Sequence, residues 1–422
     1  MIFANTLLGK TLIGLALNDL FGFGHTQSDD VTTKKTAPTF LRNIASLLEK
    51  KDVVYADRNN HLSKHYDELT AMPFDTKLGT GKTLKMYDVR FIGLLWNVDD
   101  LPYHRVLRVC SERVVKRGDN HQTLRPDPSI EAEHEAIVGN FLRAFTSPDP
   151  EDFEQIIRVG VEDDPMTVLK KSVDTLVDIL GVPKPDDDAL KAALDRANEY
   201  KTTTPYHAPA RISKTVRYFG LAPEIDLPNL VSSLLESHPD ESAQAFLQDL
   251  VSRSRITAKP HVTLSHEKNV QDEKDAATNF NPDSDASGTP VEPGPHQRCW
   301  NQCQALASDG SSTMAMYQYN ITHLVWDDRV MSLIIDTLRP KNTETIQLEV
   351  PEDYAKHLHI TVGTRSEEIS AFESRGIVSA AREGIAAGQE AGEADEVVEG
   401  GGKVRWFSIE GIKGEGRVKG MW

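Results

Sequence analysis

The sequence predicts two folded units of different class, an α/β unit over residues 1–150 and an α+β unit over residues 206–422, joined by a helical connector over residues 151–205. In the first unit, short apolar strands alternate with helical stretches at a spacing of about 30 residues, which is typical of β-α-β units and a parallel sheet. In the second unit, separate strand-like segments accompany one long helical segment, which is typical of the α+β class. The length of 422 residues agrees with two or three domains.

Composition and charge exclude several functional classes. Lysine and arginine number 47 against 64 aspartates and glutamates, and the net charge of −17 argues against non-specific coating of DNA or of an anionic membrane. RNA stays open as a substrate because a local basic patch is enough to bind it. Three cysteines are too few for a disulfide framework, and no run of about 18 apolar residues could span a membrane. We therefore expect an intracellular protein, in the nucleus or the cytoplasm, without a membrane partner.

Local patterns predict the elements of the first unit and of the connector. Residues Thr11–Leu20 have apolar residues at helical spacing, and Asp52–Asp57 and Val89–Trp96 are short apolar strands. In the connector, Ala189–Tyr200 has a helical pattern that follows a run of prolines and aspartates. These segments give the alternation on which the α/β assignment rests.

Four strands and one helix are predicted in the second unit. The strands are Val216–Leu221, His261–Leu264, Ile321–Trp326 and His359–Val362. Leu230–Val251 has apolar residues at helical spacing and predicts a single helix. Two polar stretches interrupt the pattern, residues 266–297, rich in Asp, Asn, Pro and Gly, and residues 383–402, rich in Gly, Ala and Glu. Such compositions bury too little apolar surface to offset the entropy of ordering, so we predict disordered insertions at both places.

Two of the predicted strands begin with the same pattern, His, apolar, Thr, apolar. Because residues i and i+2 of a strand point to the same face, His261 lies beside Thr263 and His359 lies beside Thr361. One His-x-Thr is expected by chance in a chain with 14 histidines, but two copies with apolar residues at both flanking positions are not. If the two strands are neighbours, two imidazoles and two hydroxyls line one cleft.

This set of side chains suits the hydrolysis of a cyclic phosphodiester. One histidine takes a proton from the attacking water, and the other gives a proton to the departing ribose oxygen, roles that suit an unperturbed pKa of about 6.5. The threonine hydroxyls can donate hydrogen bonds to the non-bridging oxygens, where negative charge builds in the transition state. The reaction needs no metal ion or other cofactor. The sequence leaves open which histidine is the acid.

The short segments around these strands resemble the cyclic phosphodiesterase domain of fungal tRNA ligases. The two His-x-Thr motifs resemble the signature of the two-histidine phosphoesterase superfamily. The matching words are Tyr218–Leu221, Lys259–Leu264, Ile321–Asp327 and His359–Thr364. The resemblance implies a 2′,3′-cyclic phosphodiesterase with His261, Thr263, His359 and Thr361 as its catalytic residues. It also implies that the substrate is RNA, the exon end of a cleaved pre-tRNA, and that the product keeps a 2′-phosphate.

Residues 9–125 resemble the kinase domain that precedes this phosphodiesterase in fungal tRNA ligases. The matching words are Gly9-Lys10-Thr11, Phe21–His25, Gln27–Asp30, Ala56–His61 and Arg117–Gln122. The resemblance implies a P-loop 5′-hydroxyl polynucleotide kinase that uses a nucleoside triphosphate, ATP or GTP, together with magnesium.

Site residues of the kinase-like half follow from the same resemblance. Gly9 and Lys10 would bind the phosphates, and Thr11 would hold the magnesium ion. Asp29 would accept the proton of the 5′-hydroxyl as it attacks the γ-phosphate. Two arginines would supply lid charges over the phosphates, Arg113 and Arg117, although arginines on a helix more often form a solvated face.

The nucleotide-binding loop departs from the family pattern. Ala4 stands where Gly-x-x-x-x-Gly-Lys-Thr begins with glycine, and Leu7-Leu8 stand where the family has a Gly-Cys pair. Leucine adds bulk where the backbone must close round a phosphate. The strand before the loop is reduced to Met1-Ile2-Phe3 and no ligase domain is recognised. We therefore expect a truncated or mis-started copy with a defective kinase. A second Gly-Lys-Thr lies within Gly79–Thr83. No segment around it matches the family, so it is not a candidate nucleotide-binding loop.

These observations predict an enzyme that heals RNA ends in tRNA splicing. Two alternatives stay open. One is a non-catalytic RNA-binding remnant, against which the intact His-x-Thr pair argues in the C-terminal half. The other is a two-histidine phosphodiesterase for a small cyclic nucleotide such as ADP-ribose cyclic phosphate.

Overall fold

The computed structural model describes residues 1–4, 9–70, 89–126, 133–206, 215–280, 292–308, 315–343, 345–395, 397 and 399–421. These residues form two compact units, the first mainly from Met1–Leu101, Val106–Asp127 and Glu133–Ile212 and the second mainly from Ser213–Trp422. The predicted departure at Leu7-Leu8 and the second Gly-Lys-Thr lie outside the described residues. In the described part of the chain, no helix is long and apolar enough to cross a membrane.

The first unit contains a five-stranded parallel sheet in the order β2-β3-β1-β4-β5, which confirms the α/β prediction. The strands are β1 (Ile2–Ala4), β2 (Gly24–Gln27), β3 (Val54–Asp57), β4 (Ile92–Asn97) and β5 (Gln155–Gly160). The described helices are α1 (Lys10–Phe21), α2 (Thr36–Leu48), α3 (Ser63–Thr70), α4 (Tyr103–Arg117), α5 (Glu133–Arg143), α6 (Pro165–Leu180) and α7 (Asp187–Asn198). Because all strands are parallel, their carboxyl ends meet at one edge of the sheet, where ligands of such folds bind.

The prediction of a helical connector over residues 151–205 is wrong, because this stretch belongs to the first unit. Its strand β5 pairs with β4, and α6 and α7 both contact α1. The acidic composition conceals a short alternation in which Ile157 and Val159 are buried while Arg158 is exposed. The segment with this alternation is β5, the edge strand of the sheet.

The second unit contains a seven-stranded antiparallel sheet in the order β10-β9-β8-β12-β6-β7, with β11 paired to β12. The strands are β6 (Tyr218–Pro223), β7 (Val262–His266), β8 (Met316–Trp326), β9 (Val330–Pro340), β10 (His359–Thr364), β11 (Ala391–Ala394) and β12 (Val404–Met421). The described helices are α8 (Leu227–Ser237), α9 (Glu241–Ser252), α10 (Glu267–Phe280), α11 (Pro295–Ser308), α12 (Glu352–Ala355) and α13 (Ser374–Ala386). The combination of a sheet with helices confirms a mixed α and β unit.

The faces of this sheet divide the His-x-Thr strands as the alternation predicts. Val262, Leu264, Ile360 and Val362 are fully buried in the large core that contains α8, α9 and α11. Their alternate partners belong to the opposite face, part of which packs against α13 through Ile377 and its neighbours. The apolar residues of the motif therefore anchor the strands and leave the polar ones free for chemistry.

Three predictions for the second unit are wrong. Leu230–Val251 forms two helices, because the break contains Pro239 and the Asp240 side chain accepts a hydrogen bond from the N–H of Ala243, 2.9 Å away, to begin α9. Disorder is wrong for the described parts of 266–297, which contain α10 and the start of α11, while residues 281–291 lie outside the described residues. Residues 383–402 likewise include the end of α13 and strand β11.

Candidate active sites

The two His-x-Thr strands come together although they stand at opposite ends of the strand order. The segment before β7 reaches β10, since the N–H of Thr257 donates to the carbonyl of Val362 at 2.8 Å and Ile256 forms a bridge with Gly363. His261 is near enough to His359 for its positive charge to lower the pKa of His359. The two histidines therefore lie close enough to interact electrostatically.

Both histidine rings are held in the same way. Nδ1 of His261 lies 3.3 Å from the carbonyl oxygen of Lys259, and Nδ1 of His359 lies 2.6 Å from the carbonyl oxygen of His357, in each case the residue two positions earlier. A carbonyl can only accept, so Nδ1 carries the hydrogen in both rings. This leaves Nε2 as the reactive nitrogen of both side chains, in agreement with a matched pair of acid and base.

The protonation of the two histidines is not equivalent. Burial lowers the pKa of His359 to about 4, helped by the positive charges that His261, His357 and Arg375 can carry and opposed by the hydrogen bond to the His357 carbonyl. Burial also lowers the pKa of His261, against the hydrogen bond to Lys259. A single proton shared by the pair therefore resides on His261 in preference to His359.

The threonines lie beside their histidines. Thr361 Oγ1 is 2.9 Å from the hydroxyl of Ser374, a fully buried residue at the start of α13. Thr263 pairs directly with Gly220 of β6, and a Cβ at that glycine would lie only 3.0 Å from the carbonyl of Val262. Glycine thus allows β6 to approach β7 closely beside Thr263.

Sequence reasoning missed three side chains that border this site. Ser374 supports Thr361, and Arg375 of the same helix lowers the pKa of His359. The ring of Tyr218 lies 5.3 Å from that of His261 and stacks on His266 at 6.0 Å. Tyr218 could have been found, because it belongs to one of the segments that resemble the family. Ser374 and Arg375 lie 13 and 14 positions beyond Thr361, and no sequence pattern marks them.

In the first unit, Lys10 and Thr11 gather with an aspartate at the carboxyl edge of the sheet. Gly9 is the residue before α1 and has a φ of +87°, a conformation that glycine adopts without strain. Thr11 Oγ1 donates to Oδ2 of Asp57, the last residue of β3, at 2.6 Å. Burial would raise the pKa of Asp57, but the His25 ring, the charge of Lys10 and the Thr11 hydroxyl together lower it.

This hydroxyl and carboxylate fit a magnesium ion. Mg²⁺ prefers oxygen ligands, and P-loop enzymes hold it between the loop Ser or Thr and an aspartate on a neighbouring strand. Thr11 and Asp57 supply those two groups, with β3 directly beside β1 in the sheet. Asp57 belongs to a segment that resembles the family, but only Thr11 was predicted to hold the metal ion.

Asp29 and Arg117 join the same group, whereas Arg113 is directed elsewhere. Partial burial and the charge of Asp57 raise the pKa of Asp29, against Lys10 and Arg117. Nε2 of His121 lies 3.6 Å from the Asp29 carboxylate, and its Nδ1 accepts backbone N–H groups, so the Nε2 hydrogen faces Asp29. Arg113 donates to the carbonyl of Asp163 at 3.0 Å, and its role as a lid charge stays a prediction.

The chain is similar to two domains of tRNA ligases, a kinase domain followed by a phosphodiesterase domain. Residues 3–161 match the family model described as tRNA ligase kinase domain, and residues 166–404 match that described as fungal tRNA ligase phosphodiesterase domain. The second match covers more than half of the chain, so the protein belongs to the fungal tRNA ligase phosphodiesterase domain family. This match begins within α6, which packs in the first unit.

Two curated relatives agree with this assignment. The chain is 26% identical over 440 residues to tRNA ligase 1 of Schizosaccharomyces pombe, covering 95% of this chain and 48% of the relative. It is 24% identical over 376 residues to a tRNA ligase of Candida albicans, covering 84% of this chain and 42% of the relative. The chain thus spans about half the length of these relatives. A solved structure titled "Crystal Structure of Fungal RNA Kinase" is 19% identical and covers 100% of this chain and 99% of that one, with a TM-score of 0.39.

Proposed function

We propose that this protein heals RNA ends in tRNA splicing, with its second unit hydrolysing a terminal 2′,3′-cyclic phosphate to a 2′-phosphate. The observation that carries the proposal is the matched pair of histidines, each with Nδ1 bound to the carbonyl two residues earlier and with Nε2 left for chemistry. The two threonines and the family assignment support it. The substrate is the exon end of a cleaved pre-tRNA.

In the proposed mechanism His359 is the base and His261 the acid. His359 holds its proton more weakly, so it is neutral and its Nε2 accepts a proton from water as the water oxygen attacks phosphorus. The bond between phosphorus and the 3′-oxygen breaks, and Nε2 of His261 gives that oxygen a proton. The phosphate remains on the 2′-oxygen. The site resets when His359 releases its proton to solvent and His261 takes one up.

The threonine hydroxyls stabilise the charge that builds on the non-bridging oxygens. Either hydroxyl can be the donor in the contact between Ser374 and Thr361. In the proposed mechanism Ser374 is the donor, which leaves the Thr361 hydrogen for the phosphate. Thr263 donates from the opposite strand. These groups are neutral, so the site stabilises the transition state with fixed dipoles and needs no metal ion.

The first unit is proposed to be a P-loop 5′-hydroxyl polynucleotide kinase domain. Lys10 and Gly9 would bind the phosphates of ATP or GTP, Thr11 and Asp57 would hold magnesium, and magnesium would offset the phosphate charge. Asp29, whose raised pKa makes it a stronger base, would take the proton of the RNA 5′-hydroxyl. We propose that the kinase is defective because of Leu7-Leu8.

The decisive experiment uses the purified full chain. It is incubated with a 5′-labelled RNA that ends in 2′,3′-cyclic phosphate, and in parallel with a cyclic mononucleotide and with ADP-ribose cyclic phosphate. Hydrolysis of the RNA with a kcat/KM at least tenfold above that of both small molecules supports the proposal. No hydrolysis of the RNA would contradict it, and preference for a small molecule would favour the small-nucleotide alternative.

A further inference from the structure

A large aromatic side chain is exposed close to the candidate phosphodiesterase site. Phe372 has 71% of its surface exposed, more than any other large apolar side chain among the described residues. Burying a phenyl ring releases free energy, and an exposed ring beside a cleft offers a flat apolar face on which a nucleobase can stack.

The ring is attached to a firmly held turn. Residues Ala371–Glu373 form a short 3₁₀ turn, in which the N–H of Phe372 donates to the Ser370 hydroxyl at 3.2 Å. Next to it, Glu373 forms a two-pronged ion pair with Arg329, with N···O distances of 2.7 and 2.9 Å. The ring is therefore presented with little backbone freedom to lose when a ligand binds.

The same turn leads directly into the site. Ser374 follows Glu373 and contacts Thr361, two positions after Phe372. The guanidinium of Arg375 lies 5.9 Å from the Phe372 ring centre, and its charge is felt by His359. Arg375 is also held by Asp353, whose backbone oxygen lies 3.1 Å and whose carboxylate Oδ2 lies 3.3 Å from Nη2. The guanidinium of Arg375 is thus held close to the exposed ring, and its charge also reaches the candidate base.

We propose that Phe372 is a stacking platform for one of the last two nucleobases of a single-stranded RNA end, and that Arg375 attracts the phosphate group beside that base. This inference rests on the proposed function of the second unit. Stacking on an aromatic ring tolerates every base, and a neighbouring arginine favours the phosphate backbone, so the pair selects unpaired polynucleotide without selecting its sequence.

Equilibrium binding tests the platform without requiring turnover. The probes are a fluorescein-labelled RNA that ends in a 2′-phosphate and two versions that are abasic at the last or the penultimate nucleotide. The full-length variants are Phe372→Ala, Phe372→Trp and the matched control Ile346→Ala. The control removes an apolar side chain that is 47% exposed, at a residue whose backbone carbonyl accepts a hydrogen bond from the Tyr317 hydroxyl. Anisotropy at fixed salt gives each dissociation constant.

We expect Phe372→Ala to weaken binding of the intact RNA by about 5- to 150-fold, the range for loss of one base–aromatic stack. Phe372→Trp and Ile346→Ala should bind like wild type, and one abasic probe should bind wild type and Phe372→Ala equally weakly. The inference is overturned if Phe372→Ala binds the intact RNA within twofold of wild type. It is also overturned if Phe372→Ala weakens all three probes by the same factor, as a protein-docking or purely structural role of the ring would do.

The two proposals fail separately. The same variants are assayed on the RNA that ends in 2′,3′-cyclic phosphate. If wild type binds RNA through Phe372 but does not hydrolyse it, the proposed function fails and the stacking platform stands. If wild type hydrolyses the RNA and neither its Kd nor its KM depends on Phe372, the platform fails and the proposed function stands.

Discussion

His261 and His359 are each predicted to be indispensable for phosphodiesterase activity, and the structure suggests how to test this without disturbing the fold. Replacement by asparagine removes Nε2, the atom that moves a proton in the proposed mechanism. It keeps a side-chain N–H near the position of Nδ1, which can still donate to the carbonyl of Lys259 or of His357. Replacement by alanine removes both atoms and serves as the harsher comparison.

The expected loss follows from the role of the ring. Proton transfer by a positioned side chain contributes about 10²- to 10⁴-fold in rate, which corresponds to about 2.7–5.4 kcal/mol of barrier. Both rings are only partly accessible and are fixed by backbone hydrogen bonds, so bulk water is a poor substitute for either. Because the two residues act as a unit, the double variant should lose little more than the worse single variant.

Single-turnover hydrolysis of a labelled RNA ending in 2′,3′-cyclic phosphate measures these rates, and circular dichroism checks the fold. His238→Ala is the matched control, since its exposed ring stacks on Phe407 in the same unit with ring centres 5.4 Å apart. This control should keep wild-type activity, and EDTA should leave every rate unchanged. If a folded variant of either His261 or His359 keeps more than about a tenth of the wild-type rate, the two-histidine mechanism is wrong.

Three further outcomes are expected. The competent free enzyme has His359 neutral, with a pKa of about 4, and His261 protonated, with a pKa below its usual 6.5. The value of kcat/KM should therefore rise above pH 4 and fall before pH 7, and a maximum above pH 7.5 would contradict the lowered pKa values of the two histidines. Nucleotide analysis of the digested RNA end should find a 2′-phosphate, and a 3′-phosphate would show that the 2′-oxygen leaves instead. A 5′-kinase assay with ATP and GTP at saturating magnesium should show little turnover, with rescue by Gly-Cys at positions 7 and 8 and a longer upstream strand, whereas about 1–100 s⁻¹ in the unchanged chain would refute a defective loop.

Local patterns in the sequence were sufficient for elements whose hydrophobic repeat is regular. The helix predicted over Thr11–Leu20 is α1, and the strand predicted over Asp52–Asp57 contains β3. Local patterns failed for segments whose packing partners lie far away in the sequence. Strand β12 was not predicted because it is rich in glycine, which is depleted in strands. In the fold glycine is required there, since a Cβ at Gly416 would lie 2.5 Å from the carbonyl of Ala222 on β6.

The sequence by itself determined that each histidine of the motif lies beside its threonine, because residues i and i+2 of a strand point to the same face. Tertiary structure alone decided that the two strands meet, that β5 completes the first sheet, and which side chains surround the motif. Ser374 reaches Thr361 only because α13 packs back against β10, and Asp57 reaches Thr11 only because β3 lies beside β1. Contacts of this kind depend on packing between distant segments, and no local repeat in the sequence records them.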